Sequence, residues 1–511
     1  MSDSKGIRQG GVRVFEKIKP IKKARVGLYS VGLKAYWDQF KGLRERLINY
    51  GKFIEMRLSE WGEVFNFGLV DDEISARAAG EWFNTKNVDI IFCHSATYST
   101  SSSVLPIHQI CKAPVVILNL QPTVKMNYEK TSTGEWLAHC GACPVPEFTN
   151  AFNRAGIKYK IVNGLLGMDK TPEISVTDEN TAEREEAVYA WKEIKEWVQA
   201  ATVKRTLQHS RFGFLGNYYS GMLDMYSDFT MAQAQMGIHV EILEMDDLNK
   251  FLRTVNVQEV KTKMEEVQEF FEISGDSPSD PIARKPSPEQ LEWSCKVAVA
   301  QEKMIREYDL DALAYYYHGV EGSEYEELQS GFIVGHSLLT AKGIPCAGEG
   351  DLKTALAMKI CDVLDKGGSF SEIVAIDYER GTILMGHDGP FHIAISDGKP
   401  ILRGMELYHG KKGSGVSVEA KVKPGPVTTL GVTQTGDGKM KMIISLGEAI
   451  KAPILMIGNT QTHIKFNDPP EKYMDKWFEE APTHHFAMSI GHNATLFEKV
   501  AYVLGVNKVI I

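Results

Sequence analysis

No apolar run in this 511-residue chain approaches the roughly 20 residues that a membrane helix needs. The first residues, Met1 to Lys23, carry Lys and Arg but no apolar segment of signal-peptide length, so the expectation is a soluble, cytoplasmic protein with no membrane partner. Positive charge is also scarce: 57 Lys and Arg against 66 Asp and Glu give a formal net charge of -9, and the basic residues are scattered rather than clustered. That balance excludes the electrostatic footprint of a nucleic-acid binder. Cysteine is sparse and odd in number, seven in all, which argues for reduced thiols. The one C-x-x-C, Cys140 and Cys143, has no second pair to complete a structural zinc site, so plain thiols in a loop are the expectation. No Walker spacing occurs, and no G-x-G-x-x-G follows a strand, which argues against a nucleotide cofactor. Lys411 and Lys412, in the stretch His409 to Gly415, read as an exposed glycine hairpin and not as a phosphate cradle. Internal repeats and low-complexity tracts are absent as well.

What the chain does have is material for large cores: 43% hydrophobic and 24% charged residues are the proportions of a globular protein. Its length exceeds one ordinary core, and three domains are expected, at 1–175, 176–366 and 367–511. In the first, short β-branched runs (Arg25 to Val31, Val88 to Cys93, Pro114 to Asn119) alternate with segments of helical spacing (Trp37 to Met56, Asp72 to Asn87). Such alternation implies a parallel sheet covered by helices, with functional residues at the carboxyl ends of strands. His94 and Gln121 follow two of the predicted strands and are candidate cleft residues.

A second α/β unit shows strands at Phe212 to Gly216, His239 to Leu243 and Leu310 to Tyr317. Helices are predicted over Met222 to Gln235, Asp246 to Phe271, Glu327 to Lys342 and Leu352 to Asp365. From about Gly367 the pattern turns to short strands punctuated by glycine: Glu372 to Asp377, Gly381 to Met385, Phe391 to Ser396, Gly415 to Val422, Val427 to Thr433 and Met440 to Glu448. A helix, Ala494 to Gly505, and a strand, Lys508 to Ile511, close the chain. The fold class expected is therefore α/β: two doubly wound, Rossmann-like α/β domains followed by a β-rich, barrel-like C-terminal domain.

Chemistry-bearing residues concentrate after position 345. Glu349 stands in Pro-Cys-Ala-Gly-Glu-Gly-Asp, Asp377 in Ala-Ile-Asp-Tyr, His387 in Gly-His-Asp-Gly-Pro, and His484-His485 in Thr-His-His-Phe. Oxygen and imidazole ligands gathered from separate loops suit one divalent cation. No two of them share a helix face at metal-ligand spacing, so tertiary structure alone can assemble them. Taken singly, each carboxylate has an ordinary structural reading: Glu349 and Asp351 cap the next helix, and Asp377 serves a strand end.

The segment Cys346-Ala-Gly-Glu-Gly-Asp-Leu-Lys-Thr-Ala355 resembles the signature of L-arabinose isomerases, and the order Asp377-Tyr378, Gly386-His387, His484-His485 is similar to theirs. Two departures stand out. Arabinose isomerases carry glutamate where Asp377 stands, as against aspartate in L-fucose isomerases, and their interval to the following histidine is longer. The chain is therefore identified as similar to the broader L-arabinose and L-fucose isomerase superfamily, metal-dependent aldose-ketose isomerases, from about Ala24 to its end. That resemblance implies Glu349, Asp377, His387 and His485 as ligands of Mn²⁺, with Co²⁺ or Fe²⁺ as alternatives, and Glu349 and Asp377 as the acid and base pair. His485 is preferred to His484 because it aligns with the second histidine of the family's pair. It further implies that His139 faces the sugar, often across a subunit boundary, with His94 and Gln121 lining the cleft, in a homotrimer or homohexamer. The expected reaction interconverts an unphosphorylated aldose and its ketose through a cis-enediol. The alternatives are an isomerase of a sulfonated or branched aldose, a catalytically inactive sugar-binding protein, and a metal-dependent hydrolase or aldolase.

Overall fold

The computed structural model describes residues 8–9, 12–13, 15–170, 180–406 and 414–511. These form two compact units: residues 22–206, and residues 1–21 together with 207–511. The expected boundary at 175/176 and the Lys411-Lys412 hairpin lie outside the described residues.

The 22–206 unit is built on a five-stranded, all-parallel sheet: β1 (Arg25–Val31), β2 (Glu63–Val70), β3 (Ile90–His94), β4 (Val115–Gln121) and β5 (Tyr159–Leu165), in the order β2-β1-β3-β4-β5. The central strands β1, β3 and β4 are buried almost throughout, which is why they read as unbroken apolar runs. The predicted helix from Trp37 divides into Tyr36–Gln39 and Leu43–Ser59, because Gly42 between them takes φ 82°, a left-handed backbone suited to glycine. Beneath this sheet, Arg46 and Glu135, both nearly inaccessible, form a forked ion pair, and Arg46 Nε also donates to Tyr50 Oη.

In the other unit a four-stranded parallel sheet holds β6 (Arg211–Gly216), β7 (His239–Leu243), β8 (Ala312–Tyr316) and the short β9 (Cys346–Ala347), ordered β9-β8-β6-β7. The helix Leu352–Val363 follows directly, and all twelve of its residues are buried. Six strands after it close into an antiparallel barrel: β10 (Gly367–Asp377), β11 (Thr382–His387), β12 (Gly425–Gln434), β13 (Met440–Ala449), β14 (Thr460–Phe466) and β15 (His485–Ile490). Their order is β12-β15-β10-β11-β14-β13, and β13 returns to pair with β12. The α/β class with two parallel sheets and a terminal barrel is thus the one expected.

Several elements differ from the sequence reading. Phe391 to Ser396 is a 3-10 turn at Ile393–Ile395, not a strand, and β14 and β15 were not anticipated. The helix predicted over Met222 to Gln235 is interrupted, since Asp228 caps a new helix, Phe229–Met236, by accepting from Met231 N. Asp246 to Phe271 is likewise two helices, the second opened by a capping box at Asn256.

A strap from the start of the chain belongs to this unit. Ile18 N donates to Lys342 O, and Lys17 Nζ donates to Asp362 O at 2.8 Å and to Asp365.

Replacing Glu135 with Ala would leave the buried Arg46 charge unpaired. The expected loss is about 3–5 kcal/mol of unfolding free energy, to be read from urea denaturation of the full chain; an unchanged midpoint would show that the pair does not support the sheet.

Candidate metal centre

Glu349 sits on the turn between β9 and the helix Leu352–Val363, with φ 59° and ψ 11°, a conformation that non-glycine residues seldom adopt. The turn holds it there: Glu349 O accepts from Tyr219 N at 3.1 Å, and Asp351 N donates to Gly348 O. Asp351 is fully buried and caps the helix through Thr354 N and Oγ1. Its Oδ2 also accepts from Nδ1 of His485 at 3.1 Å. That bond fixes the tautomer of His485 and leaves Nε2 as the free lone pair.

Strand register brings in two further ligand types. Glu372 of β10 lies opposite Gly386 on one side and His485 on the other, so His387 and His485 flank it from neighbouring strands. The Nε2 atoms of His387 and His485 stand 3.1 Å apart. Two imidazole nitrogens bound at right angles to one ion at about 2.1 Å would be roughly 3.0 Å apart. The approach of β11 to β14 depends on Gly386, where any Cβ would come within 1.8 Å of Thr460 O. Phe370 packs against both rings, at centroid distances of 4.7 Å to His387 and 4.3 Å to His485.

Two overlapping sets of donor atoms result, each with its members within 4.8 Å of one another: Glu349, His484 and His485, and Glu372, His387 and His485. The residues fit a divalent cation on their own geometry. Glu349 Oε2 is buried without a hydrogen-bond donor, 3.5 Å from His485 Nε2 and 3.6 Å from His484 Nε2. Each histidine is backed by a carboxylate at its other nitrogen: Asp351 for His485, Asp388 for His387 at 2.8 Å, and Asp224 for His484 at 2.7 Å.

Electrostatics follow from this crowding. Burial would raise the Glu349 carboxyl, but His484, His485 and His387 hold it below its usual value. Burial would lower His387, yet Asp388, Glu372 and Glu349 carry it up to about 9. His484 likewise reaches about 9 against burial, through Glu349 and Asp224. His485 is pushed down, first by burial and then by its two histidine neighbours, despite Asp351.

Of the residues singled out from sequence, Glu349, His387 and His485 come together and Asp377 does not. Asp377 is the turn residue of the β10–β11 hairpin: its carboxylate accepts from Arg380 N at 2.9 Å and Arg380 Nη1 at 2.7 Å. It lies five positions along the strand from Glu372 (377 − 372), roughly 16 Å at the usual rise. Glu372 takes its place in the cluster. The second carboxylate is a glutamate, and its interval to His387 lengthens from 10 to 15 positions (387 − 377 and 387 − 372). Sequence reading missed Glu372 because a lone acid in an alternating strand looks like a solvent-facing position; only the pairing with β15 reveals it.

His94, Gln121 and His139 belong to the 22–206 unit. His94 is 1% exposed with Nδ1 2.9 Å from Ser30 Oγ, and burial pushes it to about 3. It is a neutral core histidine, which corrects its expected place in a cleft. Gln121 ends β4 and is half-buried. His139 is fixed at both nitrogens, Nδ1 donating to Glu135 O and Nε2 lying 2.9 Å from Thr123 Oγ1.

Residues 226–367 match the family model of the L-arabinose isomerase central domain. Similar relatives include L-arabinose isomerase 1 of Bacillus licheniformis, 22% identical over 326 residues, covering 63% of each chain. Another is the L-arabinose isomerase of Vibrio parahaemolyticus, 21% identical and covering 64% of this chain and 67% of the relative. Over these residues the chain is similar to the L-arabinose isomerases. The central-domain match covers the α/β turn that carries Glu349, while the match to the L-arabinose isomerase of Escherichia coli, at 22% identity, spans 52% of either chain. The alignments therefore span about half to two thirds of the curated relatives' length. Among the described residues no helix is long and apolar enough to cross a membrane.

The raised His387 has a measurable consequence in metal-free protein. A histidine whose folded value lies near 9, against 6.5 unperturbed, lends stability that is complete below about 6.5 and is lost as pH rises through 9. The thermal midpoint of metal-free protein should fall across that window, and Asp388→Asn should flatten the fall; identical calorimetric profiles for the two proteins would refute the assignment.

Proposed function

We propose that this protein is a metal-dependent isomerase interconverting an unphosphorylated aldose and its ketose, with Mn²⁺, or alternatively Co²⁺ or Fe²⁺, held by Glu349, Glu372, His387 and His485. The observation that carries the reading is a pair of donor sets that share His485, Glu349 with His484 and Glu372 with His387, beside the donor-free Glu349 Oε2. Two carboxylates balance the ion's charge, and two imidazoles make the set better suited to Mn²⁺ or Fe²⁺ than to Mg²⁺. The relatives named above as L-arabinose isomerases favour the same reaction class.

Bound there, the ion supplies Lewis acidity toward a carbonyl or hydroxyl oxygen. The residues supply the proton chemistry. One of Glu349 and Glu372 takes the proton from the carbon beside the aldehyde and the pair returns it to the aldehyde carbon through a cis-enediol, while a second proton passes from the neighbouring hydroxyl oxygen to the former carbonyl oxygen. Glu349 is held ionised by its histidines, the state a base requires. Asp351 keeps His485 in one tautomer and orientation.

The cleft that opens on this cluster, about 840 Å³ including its mouth, is bordered by Met222, Val374, Leu384, Leu455 and Ile457, and by Asn459, Thr460 and Gln461. No Lys or Arg is among the described residues that line it, which favours a neutral sugar over a sulfonated one. On this reading His139 and Gln121 reach the sugar from a second copy in a homotrimer or homohexamer, and the enzyme works in the cytoplasm.

The test is metal-stripped protein reloaded with Mn²⁺ and incubated with free aldoses and ketoses in D₂O, read by NMR and mass spectrometry. Metal-dependent formation of an isomer of equal mass, apart from deuterium taken up at carbon, is expected. A product of altered mass would point to hydrolysis or cleavage, and protein that binds Mn²⁺ but turns over no sugar would refute the assignment.

The correction at the second carboxylate gives a separate prediction. Glu372→Gln should weaken Mn²⁺ binding by more than about 10-fold and abolish turnover, whereas Asp377→Asn should leave both within about twofold, by calorimetric titration and isomerase assay. Equal effects of the two changes would reinstate Asp377.

A further inference from the structure

Two charged residues beside the cluster, Asp224 and Lys353, take no part in the proposed proton transfer. Asp224, in the 3-10 turn Leu223–Met225, places Oδ2 on both the backbone N–H of His484, at 3.0 Å, and its Nδ1, at 2.7 Å. A carboxylate accepts only, so the ring donates through Nδ1, and main chain and side chain of His484 are held by one atom. The ring is then turned so that Nε2 meets Glu349 Oε2 at 3.6 Å.

The turn carrying Asp224 is itself held from below. Lys353 is 1% exposed, and its Nζ donates to Met225 O at 2.9 Å, Tyr226 O at 3.3 Å and Ser227 Oγ at 3.0 Å. All three ammonium protons are used, which is what a buried lysine requires. The bonds fall where the helical pattern of Met222 to Gln235 breaks, so carbonyls that a continuous helix would have bonded internally are turned to Lys353 instead.

We infer that Lys353 and Asp224 are a coupled positioning pair: Lys353 fixes the 225–227 turn, the turn fixes Asp224, and Asp224 fixes the His484 ring with Nε2 facing the Glu349 carboxylate across 3.6 Å. Neither residue touches the reacting carbons; both act through His484. The inference rests on the isomerase reading for its kinetic consequence and on geometry alone for its structural one.

The experiment uses the full-length, Mn²⁺-loaded protein and the sugar it turns over. Asp224→Ala should lower kcat about 10- to 100-fold while KM and Mn²⁺ affinity stay within about twofold. Lys353→Met should cause a loss of similar size, Lys353→Arg should restore part of it, and the double variant should be no worse than the weaker single one. Wild-type kcat in Asp224→Ala, a loss that follows Mn²⁺ affinity, or additive losses in the double variant would overturn the inference. Should Lys353→Met not fold, Asp224→Ala and its partial rescue by Asp224→Asn decide alone. A crystal structure of Asp224→Ala supplies the readout independent of turnover: the His484 ring should rotate away from Glu349, and an unmoved ring overturns the inference. Absence of isomerisation in wild type would count against the isomerase reading, and the ring position would still decide the positioning role.

Discussion

The carboxylate of Asp351 is the point on which the barrel-bearing unit turns. With one side chain it caps the buried helix Leu352–Val363 and takes the Nδ1 proton of His485 at the start of β15. The first bond belongs to the α/β layer and the second to the barrel, so the placement of Glu349, two residues earlier, is tied to that of His485. A fully buried carboxylate is tolerated only because each of its oxygens is occupied; burial alone would raise it, and His485 brings it to about 2. Loss of this carboxylate would disturb the helix start and the His485 tautomer together.

Much of the architecture was legible because it follows from burial pattern. The strands β1, β3 and β4 are covered on both faces and read as continuous apolar runs, and the glycine-punctuated region after Gly367 did become a barrel. Failures came where polar side chains redirect the backbone. Asp228 and Asn256 start new helices inside stretches whose apolar spacing looked continuous, since a cap satisfies N–H groups locally and costs the pattern nothing.

The candidate site was legible to the extent that its residues sit in unusual local sequence. Glu349 lies on a Gly-Glu-Gly turn with left-handed backbone, and His484-His485 is a rare pair, so both drew attention. Glu372 lies in an ordinary alternating strand and depends on β15, a partner more than a hundred residues away in sequence. Asp377, adjacent to a tyrosine and near a glycine turn, had the more suggestive neighbourhood, but its carboxylate is used by Arg380 to close the hairpin. Asp224 and Lys353 were invisible for a further reason: their meaning lies in which backbone carbonyls they face, and no residue-type pattern encodes that.

The strap at Lys17 and Ile18 makes the barrel-bearing unit discontinuous, with the whole of 22–206 threaded between its first strand of chain and the remainder. Lys17 meets Asp362 across 345 positions. Synthesis therefore makes the strap before residues 22–206 and its partners Lys342, Asp362 and Asp365 only after them, so these bonds close across the whole of the intervening unit.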